Sequence, residues 1–392
     1  MDRMNNPFTP GAGAPPPALV GRDQLLEDAR VLFGRVKQGK AEKSMLITGL
    51  RGVGKTVLLN SMASEAERQG YAIFQIEINA SGQFIPFIVK SLRSLLLRLD
   101  AGTRNKSAVR KVMAVLKSFL GNLHVSYGDL SIGLDIDPAI GSADSGDLDT
   151  DLSELFSHVG ELAAEQDTGV AFFIDEVQFL DKKEFGAVIV AMHKMQQKQL
   201  PIVLVGAGLP VLYELAGKTK SYTERLFQFP GIGPLTKEEA CKAIRIPIEE
   251  GGASITEKAL SGIYEVTKGY PYFLQEWGYQ VWNVCEASPI TAETVISVSP
   301  RVIQRLDENF FKVRFSRVTP KEKTFLYEMA KLGYGPYKIS DIAHSMHTET
   351  TSVSPQRSSL IKKGMVYSPS YGNIDFTVPL FNEFMCRAMN EA

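Results

Sequence analysis

The chain has few of the residues that build disulfide frameworks and metal sites. Its 392 residues include three cysteines and five histidines. The cysteines, Cys241, Cys285 and Cys386, are far apart and form no Cys-x-x-Cys pair, which is typical of reduced thiols and argues against a disulfide framework. The histidines have no cysteine or carboxylate cluster beside them, so we expect no structural metal ion.

An excess of one charge is also missing. The chain carries 43 basic and 44 acidic residues, which excludes a generally polybasic coat for nucleic acid and leaves only a local patch for such contacts. No run approaches the roughly eighteen apolar residues of a membrane span, and the N-terminus lacks the features of a signal peptide. We therefore expect a cytoplasmic protein with no membrane partner.

One motif is present between a strand-like apolar run at residues 45–48 and a helix-like run that begins at Val57. It matches Gly-x-x-x-x-Gly-Lys-[Ser/Thr], the Walker A pattern, and its residues are Gly49, Leu50, Arg51, Gly52, Val53, Gly54, Lys55 and Thr56. Glycines let successive backbone N–H groups point at phosphate oxygens, in front of the positive end of the next helix. Lys55 would reach the β- and γ-phosphates, and the Thr56 hydroxyl would ligate Mg²⁺. The motif, with Val57, predicts a triphosphate site.

Strand and helix signals alternate from residue 18 to residue 233, which predicts a parallel sheet covered by helices. Residues 1–17 contain several glycines and prolines, and we expect them to form a disordered lead-in. Two runs at 123–127 and 130–134 alternate between apolar and polar residues. They predict a β-hairpin insertion at about 120–140.

Beyond Pro234 the pattern becomes helical. We predict an all-α lid over residues 234–315, followed by a winged helix-turn-helix of three helices and a hairpin over residues 316–392. Thr236 and Thr319 each precede a glutamate by three positions, which predicts two capping boxes that open helices. The predicted fold class is α/β: a P-loop NTPase parallel sheet, an all-α lid and a C-terminal winged helix-turn-helix.

A continuous apolar strand ends in the two acids Asp175 and Glu176. A carboxylate at the end of a parallel strand beside the P-loop strand lies where Mg²⁺ must sit. Asp175 would hold this ion, and Glu176 would orient and activate the attacking water as a general base. The pair predicts ATP hydrolysis.

In this order, the motifs resemble those of AAA+ ATPases, in the branch of the origin-recognition ATPases and the archaeal and bacterial ATPases placed beside the STAND group. The resemblance covers residues 18 to 390 and implies ATP and Mg²⁺ as cofactors. It implies that Val20, Gly21 and Arg22 pack near adenine and that Pro271, in Gly269-Tyr270-Pro271, approaches the base or ribose. It also places an arginine finger at Arg225, which would act on a neighbouring subunit or domain.

The chain departs from the origin-recognition pattern at two places. The fourth core strand ends in Gly206-Ala207-Gly208, where that family carries a polar sensor of the γ-phosphate. No second sensor arginine is evident in the lid. We therefore expect slow or partner-stimulated hydrolysis, as in a nucleotide switch that alternates between ATP and ADP.

The C-terminal module determines the partner. In a helix-turn-helix, the second helix of the pair enters the major groove of DNA. Five residues of that helix are of types that contact DNA, namely Gln356, Arg357, Ser358, Lys362 and Lys363. Residues 317–392 hold nine basic and seven acidic residues, a surplus that predicts weak binding of double-stranded DNA unless several subunits bind together. The alternative is a STAND-like signalling or defence switch that hydrolyses ATP rarely and contacts a protein partner through this module. A homo-oligomer is compatible with both.

Overall fold

The computed structural model describes residues 1–11, 13–79, 84–102, 106–127 and 136–390. The chain forms two compact units. One, the sheet unit, comprises Arg22–Gly49 and Leu58–Ile232. The other, the lid unit, comprises Met1–Gly21, Leu50–Val57 and Gly233–Ala392.

The sheet unit is built on parallel strands, as predicted. Their order is β2-β3-β4-β1-β5, and β6 also pairs with β1. The strands are β1 (Ser44–Gly49), β2 (Tyr71–Glu77), β3 (Gly169–Asp175), β4 (Ile202–Gly208), β5 (Phe227–Gln228) and β6 (Gly231–Ile232). Every residue of β1, β3 and β4 is buried, as expected for central strands of a sheet that is covered on both faces.

Helices connect these strands. They are α1 (Asp23–Lys37), α2 (Lys55–Arg68), α3 (Phe84–Gly102), α4 (Lys106–Tyr127), α5 (Leu148–Glu165), α6 (Lys182–Lys198), α7 (Leu212–Thr219) and α8 (Thr223–Leu226). The ring of Phe156 on α5 stacks on that of Phe172 on β3 at 5.4 Å between centroids. Such contacts bury the apolar face of the helices against the sheet.

The predicted β-hairpin at about 120–140 is wrong in its first half, because α4 continues through Tyr127. The second half, residues 130–134, lies outside the described residues. Apolar residues recur at helical spacing along α4 and are buried: Val109, Val112, Met113, Leu116, Phe119 and Leu120. This longer period of 3.6 outweighs the five-residue alternation at 123–127.

The lid unit contains the predicted all-helical region. Its helices are α9 (Lys237–Glu250), α10 (Glu257–Thr267), α11 (Pro271–Val284) and α12 (Ala292–Leu306), followed by a π-helical turn (Asp307–Phe311) and α13 (Lys312–Phe315). The capping box of Thr236 and Glu239 opens α9, as predicted. Trp277 and Trp282 are buried on α11, where they belong to the core of the lid.

Residues 320–390 form the C-terminal module. Its elements are α14 (Pro320–Lys331), β7 (Tyr337–Lys338), α15 (Ile339–Ser345), α16 (Thr350–Lys362), β8 (Val366–Tyr367), β9 (Asn373–Phe376) and α17 (Phe381–Asn390). The strands form an antiparallel sheet in the order β7-β9-β8. Three helices and a hairpin were predicted, and the capping box at Thr319 opens α14. The sequence prediction did not include β7 or α17.

Residues 1–11 of the lead-in are packed on α11, whereas the composition predicts a disordered segment. Phe8 is 1% exposed and packs on Gly278 of α11, where a side chain would collide with its ring. The Asn6 side-chain amide donates to the Tyr279 carbonyl at 3.0 Å. One well-placed aromatic ring buries enough apolar surface to hold a segment that is otherwise poor in apolar residues.

None of the helices formed by the described residues combines the length and hydropathy needed to cross a bilayer.

Candidate functional site

The Walker A motif forms a loop between β1 and α2. β1 ends at Gly49, α2 begins at Lys55, and we call residues 50–54 the P-loop. Gly52 and Gly54 have φ angles of +81° and +95°, a region that residues with a side chain adopt only under strain. The loop therefore turns as the glycines of the motif predict, and it leads into the N-terminus of a 14-residue helix, which favours anions.

Lys55 is held over this loop. Its side chain is 6% exposed, and Nζ donates to the Leu50 carbonyl at 2.9 Å. A buried ammonium over a ring of backbone amides is the arrangement that receives phosphate oxygens. Thr56, the candidate Mg²⁺ ligand, is exposed in the first turn of α2, where a hydroxyl is accessible to an ion.

The lid contributes Tyr270 to the P-loop. A Cβ atom added at Gly52 would lie 2.9 Å from Cε1 of Tyr270, so the ring rests directly on the loop. Pro271 follows as the first residue of α11 and is half-buried. The Tyr270 ring is 1% exposed and covers the loop. The role of Pro271 toward base or ribose stays a prediction.

Three buried polar atoms at this position have no hydrogen-bond partner among the described residues: Arg51 Nε, Tyr270 Oη and Arg314 Nε. Arg51 belongs to the P-loop and Arg314 to α13. Buried donors without acceptors are costly in a protein on its own. Glycines at positive φ, a buried lysine and these donors together fit an anionic ligand such as ATP.

Val20, Gly21 and Arg22 lead from the N-terminal segment into α1. A Cβ atom at Gly21 would lie 2.7 Å from the carboxylate of Glu239, so the absence of a side chain lets this segment lie against α9. Arg22 occupies the N-cap position of α1. Their predicted role near adenine stays a prediction.

The acidic pair lies at the end of β3 in the sheet unit. The Asp175 side chain is 9% exposed, and its Oδ1 accepts the Glu176 N–H at 2.8 Å. Glu176 has φ +56° and ψ +41°, a left-handed conformation that is uncommon for a residue with a side chain and that occurs at functional turns. β3 therefore presents Asp175 and turns sharply at Glu176.

Gln178 connects Glu176 to the end of β4. Its Nε2 donates to the Glu176 carboxylate, and its Oε1 accepts the Leu209 N–H at 3.1 Å. A Cβ atom at Gly208 would lie 2.4 Å from Gln178 Oε1. Gln178 thus fills the position beside β4 that a polar sensor would occupy. Sequence reasoning missed this residue, and the small Gly208 was the only signal for it.

Arg225 is the third residue of α8 and lies two residues before the edge strand β5, which begins at Phe227. The side chain is exposed. An exposed arginine beside the edge of the sheet is compatible with an arginine finger, which stays a prediction.

The five candidate DNA-contacting residues lie on α16 or just after it. Ser358 and Lys362 are exposed, and Gln356 is half-buried. Arg357 Nη2 donates to the Ser368 hydroxyl at 3.2 Å. Ser358 and Lys362 are therefore the two of the five that are exposed, and the other three are half-buried.

Lys363 has a partner inside the C-terminal module. Its Nζ lies 2.7 Å from the carboxylate of Glu322, which is 3% exposed. Burial alone would raise the pKa of Glu322, but hydrogen bonds from Lys363, Ser359 and Thr319 lower the pKa to about 2. Lys363 thus neutralises a buried carboxylate, which weakens its assignment as a DNA contact.

With this geometry in place, two family models match the chain. Residues 18–205 match the AAA ATPase domain, and residues 308–385 match a domain of unknown function. Residues 18–205 are therefore similar to AAA ATPase domains, and the chain has the P-loop fold that the motifs predicted. The second match covers most of the C-terminal module and assigns it no activity.

Three solved structures are similar to the chain, and the first of them supports the fold. The Walker-type ATPase PABY2304 of Pyrococcus abyssi is 14% identical, with 94% of this chain and 96% of that chain covered at a TM-score of 0.58. Cdc6p from Pyrobaculum aerophilum is 15% identical, with coverages of 100% and 98% and a TM-score of 0.46. The RuvB Holliday junction branch migration motor of Thermotoga maritima is 16% identical, with coverages of 91% and 92% and a TM-score of 0.44. No curated protein sequence matches significantly.

Proposed function

We propose that the protein binds ATP with Mg²⁺ at the P-loop, hydrolyses it slowly, and uses the nucleotide state to control DNA binding or assembly. The observation that carries this proposal is the P-loop itself: two glycines at positive φ lead to a buried Lys55 at the start of α2. We also propose that the protein belongs to the branch that its motifs resemble, that of the origin-recognition ATPases.

We assign each step of nucleotide binding and hydrolysis to residues of this chain. Lys55 and the P-loop amides bind the phosphates, while Thr56 and Asp175 hold the ion. When bound, Mg²⁺ would supply positive charge that offsets the charge of the phosphates. Glu176 orients the attacking water and accepts its proton at the carboxylate.

Slow hydrolysis follows from the hydrogen bonds of Glu176. Gln178 donates to its carboxylate, so a carboxylate oxygen is already engaged and is less available to orient an attacking water. The two glycines at the end of β4 provide no polar side chain toward the phosphate. We propose that a partner or a second subunit releases Glu176 from Gln178, and that Arg225 of a neighbouring subunit then stabilises the transferred charge.

We propose that the C-terminal module acts as a winged helix-turn-helix. Its exposed Ser358 and Lys362 on α16 are suited to DNA. One observation favours the alternative, a STAND-like switch with a protein partner: Gly364, directly after α16, rests on Arg51 of the P-loop. A module that lies on the P-loop is placed to respond to nucleotide.

The test is duplex-DNA binding at two salt concentrations with ADP or a non-hydrolysable ATP analogue. We expect a salt-sensitive complex that Lys362→Ala weakens, while the control Lys321→Ala, an exposed lysine on α14, does not. Absence of any complex at low salt with both nucleotides would remove the DNA role and leave the protein-contacting switch.

Catalysis and assembly have separate tests. Phosphate release from ATP, with and without duplex DNA, measures hydrolysis directly. Mixing Arg225→Ala subunits with Glu176→Gln subunits asks whether the arginine acts on its neighbour. Restored phosphate release is expected, and a mixture that stays inactive would argue against that placement.

A further inference from the structure

The N-terminal segment runs along helix α11 of the lid. We call the described part of residues 1–17 the strap, and its contacts lie within the lid unit. The Trp282 indole donates to the Asp2 carbonyl at 2.9 Å. Seven residues further along the strap, the Thr9 N–H donates to the side chain of Gln275 at 3.3 Å. The strap therefore follows α11 from the end of this helix towards its start.

Phe8 anchors the strap. Its ring is 1% exposed and packs where Gly278 has no side chain, since a Cβ atom there would lie 2.5 Å from Phe8 Cδ1. The Phe8 N–H donates to Asn6 Oδ1 at 3.0 Å, and the Asn6 amide donates to Asn283 Oδ1 at 2.9 Å. Removal of a phenylalanine ring from water stabilises the docked segment, which offers little other apolar surface. Release of the strap therefore requires this ring to leave α11.

Beyond Phe8, the strap passes the first turn of α2. The Thr9 hydroxyl donates to the Pro15 carbonyl at 3.3 Å, which joins the two sides of Gly13. Gly13 has a φ angle of +73°, and a Cβ atom added there would lie 3.4 Å from the methyl carbon of Thr56. Thr56 is the proposed Mg²⁺ ligand. The strap therefore lies beside a group that nucleotide and its ion would have to reach.

The chain is held again after this contact. A Cβ atom at Gly21 would lie 2.7 Å from the carboxylate of Glu239 on α9. The segment is thus attached to one lid helix before it reaches Thr56 and to another lid helix after it. In the P-loop itself, the Tyr270 ring rests on Gly52. The strap and the lid therefore both border the loop that would bind phosphate.

We infer that the strap is a gate to the nucleotide site, held shut by Phe8 on α11, and that nucleotide enters and leaves when this ring is released. This gate rests on the proposed function, in which nucleotide binds at the P-loop. A gate acts on rates: when it opens more often, loading and release both become faster by the same factor, and the dissociation constant changes little. Loss of a residue that binds the nucleotide speeds release alone.

The first experiment measures loading and release of a fluorescent ADP analogue with Mg²⁺ by stopped-flow mixing. We expect Phe8→Ala to raise both rate constants by at least about tenfold, because truncation of a buried phenylalanine favours the undocked strap. Phe8→Leu keeps part of the apolar surface and should have an intermediate effect. The control Met4→Ala removes a side chain of the same strap that is 95% exposed, and it should change neither rate.

The results separate the gate from the proposed function. A wild-type protein that binds no nucleotide would refute the proposed function. A wild-type protein that binds nucleotide, with rates that Phe8→Ala leaves unchanged, would overturn the gate alone. Faster release with unchanged loading would also overturn it, because Phe8 would then support the binding site and not its entrance.

Gly278→Ala tests the same contact from the side of α11. The added Cβ would collide with the Phe8 ring while the sequence of the strap stays intact. Alanine is favourable within a helix, and Gly262→Ala on α10 is the matched control, because its Cβ would meet no atom closer than 3.8 Å. We expect both rates to rise in Gly278→Ala only. Equal rates in the two variants would contradict the role of the Phe8 contact.

A covalent lock should have the opposite effect, which a misfolded variant cannot imitate. The side chains of Asn6 and Asn283 are in contact, so we would combine Asn6→Cys with Asn283→Cys and oxidise the protein after loading it with the fluorescent ADP. Release should be lost in the oxidised protein and return on reduction. Asn6→Cys alone, treated in the same way, controls for bonding to the nearby Cys285. Equal release in both redox states, with the cross-link verified by mass, would overturn the gate.

Discussion

The P-loop and the end of β3 differ in how their charged groups are satisfied. At the P-loop, Arg51 and the nearby Arg314 keep buried donors without acceptors. At the end of β3, Asp175 accepts the backbone N–H of Glu176, and the Glu176 carboxylate is held by Gln178. The first region is built to take up an anion, whereas the second is restrained by its own side chains.

This difference separates binding from turnover. If Arg51 and Arg314 offer their unpaired donors to nucleotide and the proposed general base is held in place, the protein is expected to load ATP readily and hydrolyse it slowly. The following predictions test that separation, beginning with the largest expected effect.

Glu176→Gln removes the proposed general base and keeps the shape of the side chain. We expect phosphate release to fall by about 10²–10⁴-fold, with the affinity for ATP retained because Glu176 lies outside the P-loop. Phosphate release and equilibrium ATP binding, measured on the same preparation, check this. Unchanged turnover would remove Glu176 from the role of base.

Lys55→Ala acts on the other region. The loss of a charged hydrogen-bond donor should weaken ATP binding by about 100-fold, and turnover should disappear with it. Calorimetric titration measures the effect, with Lys40→Ala, an exposed lysine before β1, as the control. If Lys55→Ala bound ATP normally, the P-loop would not be the binding region.

Gln178→Ala removes the hydrogen bond to the Glu176 carboxylate at the end of β3. Without the donor from Nε2, the Glu176 carboxylate is free to orient an attacking water, and we expect basal turnover to rise by about tenfold. Gln197→Ala, on the exposed end of α6, is the matched control for phosphate release. A fall in turnover would instead make Gln178 a support for the active conformation of Glu176.

Glu322→Gln tests a charged group of the lid unit that does have a partner. Lys363 forms an ion pair with the buried carboxylate of Glu322, whereas Arg51 forms none with the residues that the structure describes. Glutamine removes the negative charge, and we expect a loss of about 1–3 kcal/mol in the free energy of unfolding at neutral pH. Because the folded pKa of Glu322 is about 2, against an ordinary value of 4.5, its contribution is complete above pH 4.5 and is lost as the pH falls towards 2. The melting temperatures of the wild-type protein and Glu322→Gln should therefore differ less at pH 3 than at pH 7. Parallel melts at both pH values would contradict this.

The fold and part of the site were predictable because their signals are local. The Walker A glycines, the apolar strand before Asp175 and the capping boxes at Thr236 and Thr319 each act within a few residues. Short-range sterics and hydrogen bonds determine such features, so the sequence shows them directly.

The rest depends on contacts between distant parts of the chain. Gln178 matters because it meets Leu209, and Arg314 because it meets Arg51, more than 250 residues earlier. The ordering of Phe8 likewise requires the small Gly278 of α11. No local pattern marks these pairs, since each is created by tertiary packing alone.

The placement of tryptophan has a practical consequence. The chain has two tryptophans, Trp277 and Trp282, and both lie on α11. The Trp277 indole donates to the Ser299 hydroxyl at 3.1 Å, and the Trp282 indole donates to the Asp2 carbonyl at 2.9 Å. Tryptophan fluorescence of the unlabelled protein, excited selectively at the red edge of indole absorption, thus arises from α11 alone, and a rapid-mixing experiment would record its response to nucleotide in real time without any attached dye.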